Sequence, residues 1–182
     1  MANSNRLLIT GALERGKTTL CEQLAKLAGE AGWEVRGVLS LAVFVAGRKV
    51  SIDLVNLSSG ERRPLAHRDR STDGICTKRW NFIQNATEWG NAILGRATSY
   101  SDSAPCDLLI IDELGPLELV RGEGWLNGLT AIESGNYRLA VVVIRPALLH
   151  LALEKWPDAE VIEISAPEQA NQLAARIADR FS

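Results

Sequence analysis

The chain has 182 residues, of which 46% are hydrophobic and 23% charged, and its formal net charge is −2. This balance predicts a globular protein with a substantial core, arranged as one domain over residues 1–182. It provides no overall basic field that would attract nucleic acid, and no apolar run is long enough to span a membrane.

The first predicted strand and helix enclose a glycine-rich loop. Apolar residues at 6–10 indicate a buried strand, and Leu20, Leu24, Leu27 and Ala28 form the apolar face of a helix over about 17–31. The residues between them fit the pattern G-x-x-x-x-G-K-[ST] without substitution. They are Gly11, Ala12, Leu13, Glu14, Arg15, Gly16, Lys17, Thr18 and Thr19.

This loop has the residue types that a triphosphate site requires. Gly11 and Gly16 allow successive backbone N–H groups to converge on one anion, and the helix N-terminus adds a partial positive charge. Lys17 is predicted to reach the β- and γ-phosphates, and the Thr18 hydroxyl is placed to bind Mg²⁺. The alternative is a chance match, which the strand before the loop and the helix after it argue against.

The next segment predicts an antiparallel hairpin and a second helix. Residues 34–44 and 49–57 are two β-rich runs with a short link, and 62–66 is a third strand. We interpret 67–78 as a loop within a basic stretch, which is either a solvated surface or a lid over a triphosphate. The stretch comprises Arg62, Arg63, His67, Arg68, Arg70, Lys78 and Arg79. A helix over 80–97 carries Trp80 and Trp89, and aromatic residues at helical spacing more often pack in a core than stack on a base.

The second half alternates strands and helices. Strands are predicted over 107–112, 139–144 and 160–164, with a loop over 113–122 and helices over 124–134 and 146–156. Ser165 and Glu168 suggest a capping box that opens a last helix. The alternation predicts an α/β fold whose sheet is mostly parallel, with ligand bound at the carboxyl ends of the strands.

Two of these strands end in residues suited to phosphate chemistry. Asp112 fits the residue that holds Mg²⁺, and Glu113 fits a base that orients the attacking water. Arg145 would lie near the γ-phosphate if its strand neighbours the first strand. Each could instead be an ordinary surface residue. Arg15 is a second candidate for the phosphate contact, and we expect Glu14 to point away from it.

The remaining observations concern the cellular compartment. The segment 1–5 has neither the basic nor the apolar region of a signal peptide. Cys21, Cys76 and Cys106 are odd in number and lack metal-ligand spacing. We interpret them as reduced thiols and expect a cytoplasmic protein, and the sequence indicates no particular protein partner.

The chain resembles the THEP-type nucleoside-triphosphatase family, a group of small P-loop NTPases, from Arg6 to about Phe181. The resemblance rests on residues 16–20, on the hairpin at 47–49 and 53–55, and on 112–118 (Asp-Glu-Leu-Gly-Pro-Leu-Glu). It implies a RecA-like three-layer core that hydrolyses ATP, GTP and other triphosphates with Mg²⁺. The family usually has Pro and Gly where this chain has Leu13 and Glu14, and Gly-Phe where it has Ser51 and Ile52. Where the family has Asn-Arg before the last helix, this chain has Glu168 and Gln169.

Three functions follow from these residues. The first is an Mg²⁺-dependent nucleoside-triphosphatase, which Glu113 favours because a kinase must exclude water. The second is a kinase for a nucleoside or small metabolite, with the basic stretch as its lid. The third is a nucleotide-binding switch that does not hydrolyse its ligand.

Overall fold

An eight-stranded sheet forms the centre of the protein. The structure is a computed structural model and describes residues 4–68, 80–97 and 105–181. The strand order is β5-β4-β3-β2-β6-β7-β1-β8. The strands are β1 (Arg6–Thr10), β2 (Val35–Val45), β3 (Arg48–Asn56), β4 (Arg62–His67), β5 (Asn81–Phe82), β6 (Cys106–Leu114), β7 (Tyr137–Ile144) and β8 (Glu160–Glu163).

Helices cover both faces of this sheet and complete the predicted three layers. They are α1 (Lys17–Glu30), α2 (Gln84–Ala97), α3 (Leu126–Ser134), α4 (Leu149–Lys155) and α5 (Gln169–Ala178). Residues of α1 and α5 pack in one hydrophobic cluster, whereas residues of α2, α3 and α4 pack in the other. The mostly parallel α/β fold is therefore confirmed.

The parallel part of the sheet brings together the strand ends that the sequence singled out. β2 pairs with β6, β6 with β7, β7 with β1 and β1 with β8, all in parallel. The central residues of β1, β6 and β7 are almost completely buried and apolar, as strands covered on both faces require. The carboxyl ends of β1, β6 and β7 consequently lie at one edge.

The predicted hairpin extends this sheet on one side. β2 and β3 are antiparallel, and β3 pairs in turn with β4. Gly37 allows β2 to approach β6, because a Cβ at this position would lie 1.9 Å from the carbonyl oxygen of Ile110. The hairpin is thus joined to the parallel strands through a close backbone contact.

Several element boundaries differ from the sequence prediction. Trp80 precedes the short strand β5, and the helix begins only at Gln84, because Asn81 and Phe82 pair with β4. β6 continues through Glu113 to Leu114, and residues 117–121 form a short π-helix where a loop was predicted. Of the loop predicted over 67–78, His67 instead ends β4, and residues 69–78, which include Cys76, lie outside the described residues. Most of the segment before β6 lies outside them too.

The predicted capping box at the start of α5 is wrong. Glu168 makes no side-chain cap, and the carboxamide oxygen of Gln169 accepts hydrogen bonds from Ser165 and Ala166 instead. These bonds satisfy backbone N–H groups that precede the helix. A neighbouring side chain with the same reach therefore replaces the expected glutamate.

Within the three described segments, no helix combines the length and the apolar character needed to cross a membrane.

Candidate functional site: the loop after β1

The loop between β1 and α1 depends on its two glycines. Gly11 has φ +144°, and a Cβ there would lie 2.1 Å from the carbonyl oxygen of Ile164. Gly16 has φ +91° and precedes the first residue of α1. Both positions exclude a side chain, one by space and both by backbone conformation. The loop therefore has the compact turn that the sequence predicts.

Between the glycines, the loop is exposed. Ala12, Leu13, Glu14 and Arg15 are all exposed, and so is Thr19 in the first helical turn. Glu14 has φ +60°, a left-handed conformation that glycine adopts without strain and glutamate does not. This explains why the resembling family usually has glycine at that position. The contacts of Arg15 and of residues 12–14 with phosphate remain predictions.

Lys17 lies against the loop that it is predicted to serve. Its Nζ donates hydrogen bonds to the carbonyl oxygens of Gly11, at 2.7 Å, and Ala12, at 2.6 Å. Burial lowers the pKa of Lys17 below its ordinary value, and the charges of Glu113 and Asp112 partly offset this effect. The ammonium is thus held at the loop, close to both predicted carboxylates.

Asp112 is the buried carboxylate of the site, with 2% of its surface exposed. Its Oδ2 accepts a hydrogen bond of 3.2 Å from the Ser40 amide of β2, and the carboxylate is also hydrogen-bonded to the side chain of Thr18. Burial raises the pKa of Asp112 to about 7, although both hydrogen bonds oppose this shift. The two residues predicted to bind Mg²⁺ are therefore in contact.

This pair fits a magnesium ion. Carboxylate and hydroxyl oxygens are the hard ligands that Mg²⁺ prefers, and it commonly takes one or two protein ligands together with substrate phosphates and water. No cluster of three or more His, Cys, Asp or Glu side chains that could hold a metal occurs in the part of the chain that the structure describes. Thr18 and Asp112 therefore suit an ion that arrives with its nucleotide.

Glu113 and Arg145 form an ion pair at the same edge. β7 lies between β1 and β6, so Arg145, directly after β7, lies between the loop and the carboxylates. Its Nε contacts Oε1 of Glu113, whose side chain is 25% exposed, while that of Arg145 is 49% exposed. The structure thus brings together Lys17, Asp112, Glu113 and Arg145, although their catalytic roles remain predictions.

Comparison with known proteins agrees with this geometry. A family model described as NTPase matches residues 6–178. The chain belongs to this NTPase family. The resemblance read from residues 16–20 and 112–118 is therefore confirmed at the level of the family.

Several relatives carry the name nucleoside-triphosphatase THEP1. The one from Caldivirga maquilingensis is 32% identical over 62% of this chain and 60% of its own length. That from Methanothermobacter thermautotrophicus is 28% identical over 96% of this chain and 94% of its own length. The matches to the first relatives, including the Caldivirga protein, thus span only about 60% of those proteins.

Two solved structures share the fold. The solution structure of a human cancer-related nucleoside triphosphatase has a TM-score of 0.75, with 21% identity and 97% coverage of both chains. THEP1 from Aquifex aeolicus has a TM-score of 0.72 at 21% identity, covering 97% of this chain and 99% of its own. At this identity the likeness establishes the fold alone.

The candidate site also contains Glu118, whose role the sequence analysis missed. Glu118 lies in the short π-helix after β6, and 8% of its surface is exposed. Its two oxygens accept hydrogen bonds from the backbone amides of Gly115, at 2.8 Å, and Trp125, at 2.9 Å. Glu118 therefore fixes the segment that follows Glu113. Its position in the 112–118 motif could have indicated that Glu118 belongs to the site, but nothing in that pattern indicated that its side chain is buried.

The basic stretch and the tryptophans have a partly structural role. Arg62 pairs with Asp53, and the guanidinium of Arg63 lies 4.3 Å from the ring centroid of Trp89. Trp80 and Trp89 are partly buried against the core, as predicted. Residues 70, 78 and 79 of the stretch lie outside the described residues, so the lid remains a prediction.

Proposed function

We propose that this chain is an Mg²⁺-dependent nucleoside-triphosphatase that hydrolyses ATP, GTP and other nucleoside triphosphates to the diphosphate and inorganic phosphate. The juxtaposition of Glu113 with Asp112, at the edge where Lys17 lies, is the observation that carries this proposal. A carboxylate placed there is suited to orient and deprotonate an attacking water. Family membership and the THEP1 names of the relatives support the same reaction.

The residues divide the reaction between them. The backbone amides of residues 11–19 and the α1 N-terminus would bind the phosphates. Lys17 would exchange its loop carbonyls for the β- and γ-phosphate oxygens. Thr18 and Asp112 would hold Mg²⁺, which neutralises the charge that develops on the phosphates.

Hydrolysis then requires a base and a second cation. Glu113 would accept a proton from the attacking water. At the same time the water oxygen would bond to the γ-phosphorus, and the bond between the γ-phosphorus and the bridging β-phosphate oxygen would break. Arg145 would move from Glu113 to the γ-phosphate, where it stabilises the charge of the transition state. This exchange would leave Glu113 free to act on water.

The deciding experiment measures phosphate release from a panel of triphosphates with no acceptor present. We expect release that requires Mg²⁺ and that varies by less than about tenfold among bases, or about 1.4 kcal/mol. Formation of the diphosphate and a phosphorylated acceptor, without release of inorganic phosphate, on adding a nucleoside or metabolite would support the kinase alternative. Binding with neither release nor transfer would support a switch.

The free, buried thiols of Cys21 and Cys106 suit a reducing compartment, and we propose that the protein acts in the cytoplasm.

A further inference from the structure

The β2–β3 hairpin carries a lysine beyond the edge of the sheet where Asp112 lies. Ser40 of β2 is level with Asp112, because its amide donates to that carboxylate. β2 is parallel to β6 and continues past this level to Phe44, which pairs with Lys49 of β3. Lys49 therefore lies past the carboxyl ends of the parallel strands, the edge of the sheet at which the loop after β1 also begins.

Local structure fixes the direction of this lysine. A β-bulge separates the pairs Val43–Ser51 and Phe44–Lys49, and bulges of this kind turn a side chain away from its regular direction. The Lys49 ammonium lies 5.1 Å from the ring centroid of Trp80, and the Arg68 guanidinium lies 5.5 Å from the same ring. An aromatic ring attracts these cations without neutralising them.

The charges around Lys49 identify the region that it faces. Among the described residues, no carboxylate forms an ion pair with it. Burial lowers the pKa of Lys49, and the carboxylates of Glu14, Asp112 and Glu113 partly offset this effect, whereas Arg68 adds to it. Lys49 is thus a partly buried cation within electrostatic range of the loop, the metal position and the base position.

We propose that Lys49 is a phosphate-binding residue that contacts the γ-phosphate from the side of β6 opposite to the glycine-rich loop. In the sheet, β3 and β2 lie on one side of β6, and β7 and β1 lie on the other. The terminal phosphate would then have Lys17 and Arg145 on one side and Lys49 on the other. This inference rests on the proposed triphosphate site.

The γ-phosphate fits better than the base or the ribose. Two of the carboxylates that act on Lys49, Asp112 and Glu113, are those proposed to hold the metal and to act on water at the reacting end of the triphosphate. A cation there meets the negative charge of the terminal phosphate and of its transition state. Removing Lys49 should therefore affect triphosphate more than diphosphate, because the diphosphate lacks the group that it contacts.

The test compares two ligands at equilibrium in the full-length chain. Binding of ADP and of a non-hydrolysable ATP analogue, each with Mg²⁺, is measured for wild type and for Lys49→Gln. We expect analogue affinity to fall by about tenfold or more, the loss of a charged hydrogen bond, with ADP affinity changed less than about twofold. Lys49→Arg should restore the preference for triphosphate, since it keeps the charge.

Arg48→Gln is the matched control, because it removes one positive charge from the adjacent, exposed position of the same hairpin. It should leave both affinities unchanged. Three results for Lys49→Gln would overturn the inference. They are an unchanged affinity for the analogue, equal losses of affinity for the analogue and for ADP, and a lowered unfolding midpoint that explains the lost affinity. If wild type itself bound neither ligand, the proposed triphosphate site would fail first, so the two failures are distinguishable.

Discussion

Replacing Glu113 by glutamine tests the proposed base without removing the metal site. Gln keeps the size of the side chain and a carbonyl acceptor, but it cannot take a proton at neutral pH. Asp112 keeps its hydrogen bonds from Ser40 and Thr18. We therefore expect hydrolysis to fall by about 10²–10⁴-fold, the usual contribution of a positioned base.

The ion pair with Arg145 determines what happens to binding. The two side chains are 25% and 49% exposed, and a pair with this exposure is worth about 0.2–1 kcal/mol. In Glu113→Gln, Arg145 no longer has to leave a carboxylate to reach the phosphate, and repulsion between Glu113 and the γ-phosphate also disappears. Affinity for Mg²⁺–triphosphate should therefore stay the same or increase by up to about fivefold.

Single-turnover hydrolysis measured beside equilibrium nucleotide titration separates these effects. Glu154→Gln, an exposed position on α4, makes the same charge change away from the site and should behave as wild type. Normal hydrolysis in Glu113→Gln would refute its role as the base. Lost nucleotide binding would instead place Glu113 in the metal or phosphate site.

Four further changes probe the other residues. Lys17→Ala should lower both triphosphate affinity and turnover, and unchanged titration with Mg²⁺–ATP would contradict the phosphate site. Arg145→Ala should lower kcat with little change in nucleotide affinity, whereas a wild-type kcat would make it a surface residue. With the Asp112 pKa near 7, Mg²⁺ must displace a proton in acid, so Mg²⁺ affinity in the presence of ADP should be about tenfold weaker at pH 6 than at pH 8. Asp112→Asn should lose that component of the pH dependence, and an identical profile in both proteins would refute it. Glu118→Gln leaves one acceptor for two backbone amides, so urea unfolding should show a loss of about 1–3 kcal/mol, and unchanged stability would show that the buried bonds contribute nothing.

The parts of the fold that sequence predicted well are those that local patterns determine. Leu20, Leu24 and Ala28 repeat at helical spacing, and all three are fully buried on α1. The helix ends at Glu30, before Gly32, which has φ +79°. In each case, a side chain and its near neighbours along the chain carry the information.

The features that the sequence analysis missed depend on particular contacts that a hydrophobic pattern does not indicate. Arg145 and Glu113 are 32 residues apart, and their pairing follows from the order of β6 and β7 in the sheet. Glu118 is buried because the chain returns at Trp125 to donate a backbone amide. The direction of Lys49 depends on a β-bulge that its own sequence does not indicate. Periodicity contains no information on any of these contacts.

The ion pair and the loop hydrogen bonds together suggest how phosphate binding leads to chemistry. Lys17 bonds to two loop carbonyls, and Arg145 bonds to Glu113, so both cations have protein acceptors that phosphate oxygens can replace. Leaving the buried Lys17 ammonium without an acceptor would cost more than such an exchange. The exchange at Arg145 has a second effect, because the same step removes the cation from Glu113. The arrival of the γ-phosphate would thereby free the carboxylate that accepts a proton from the attacking water.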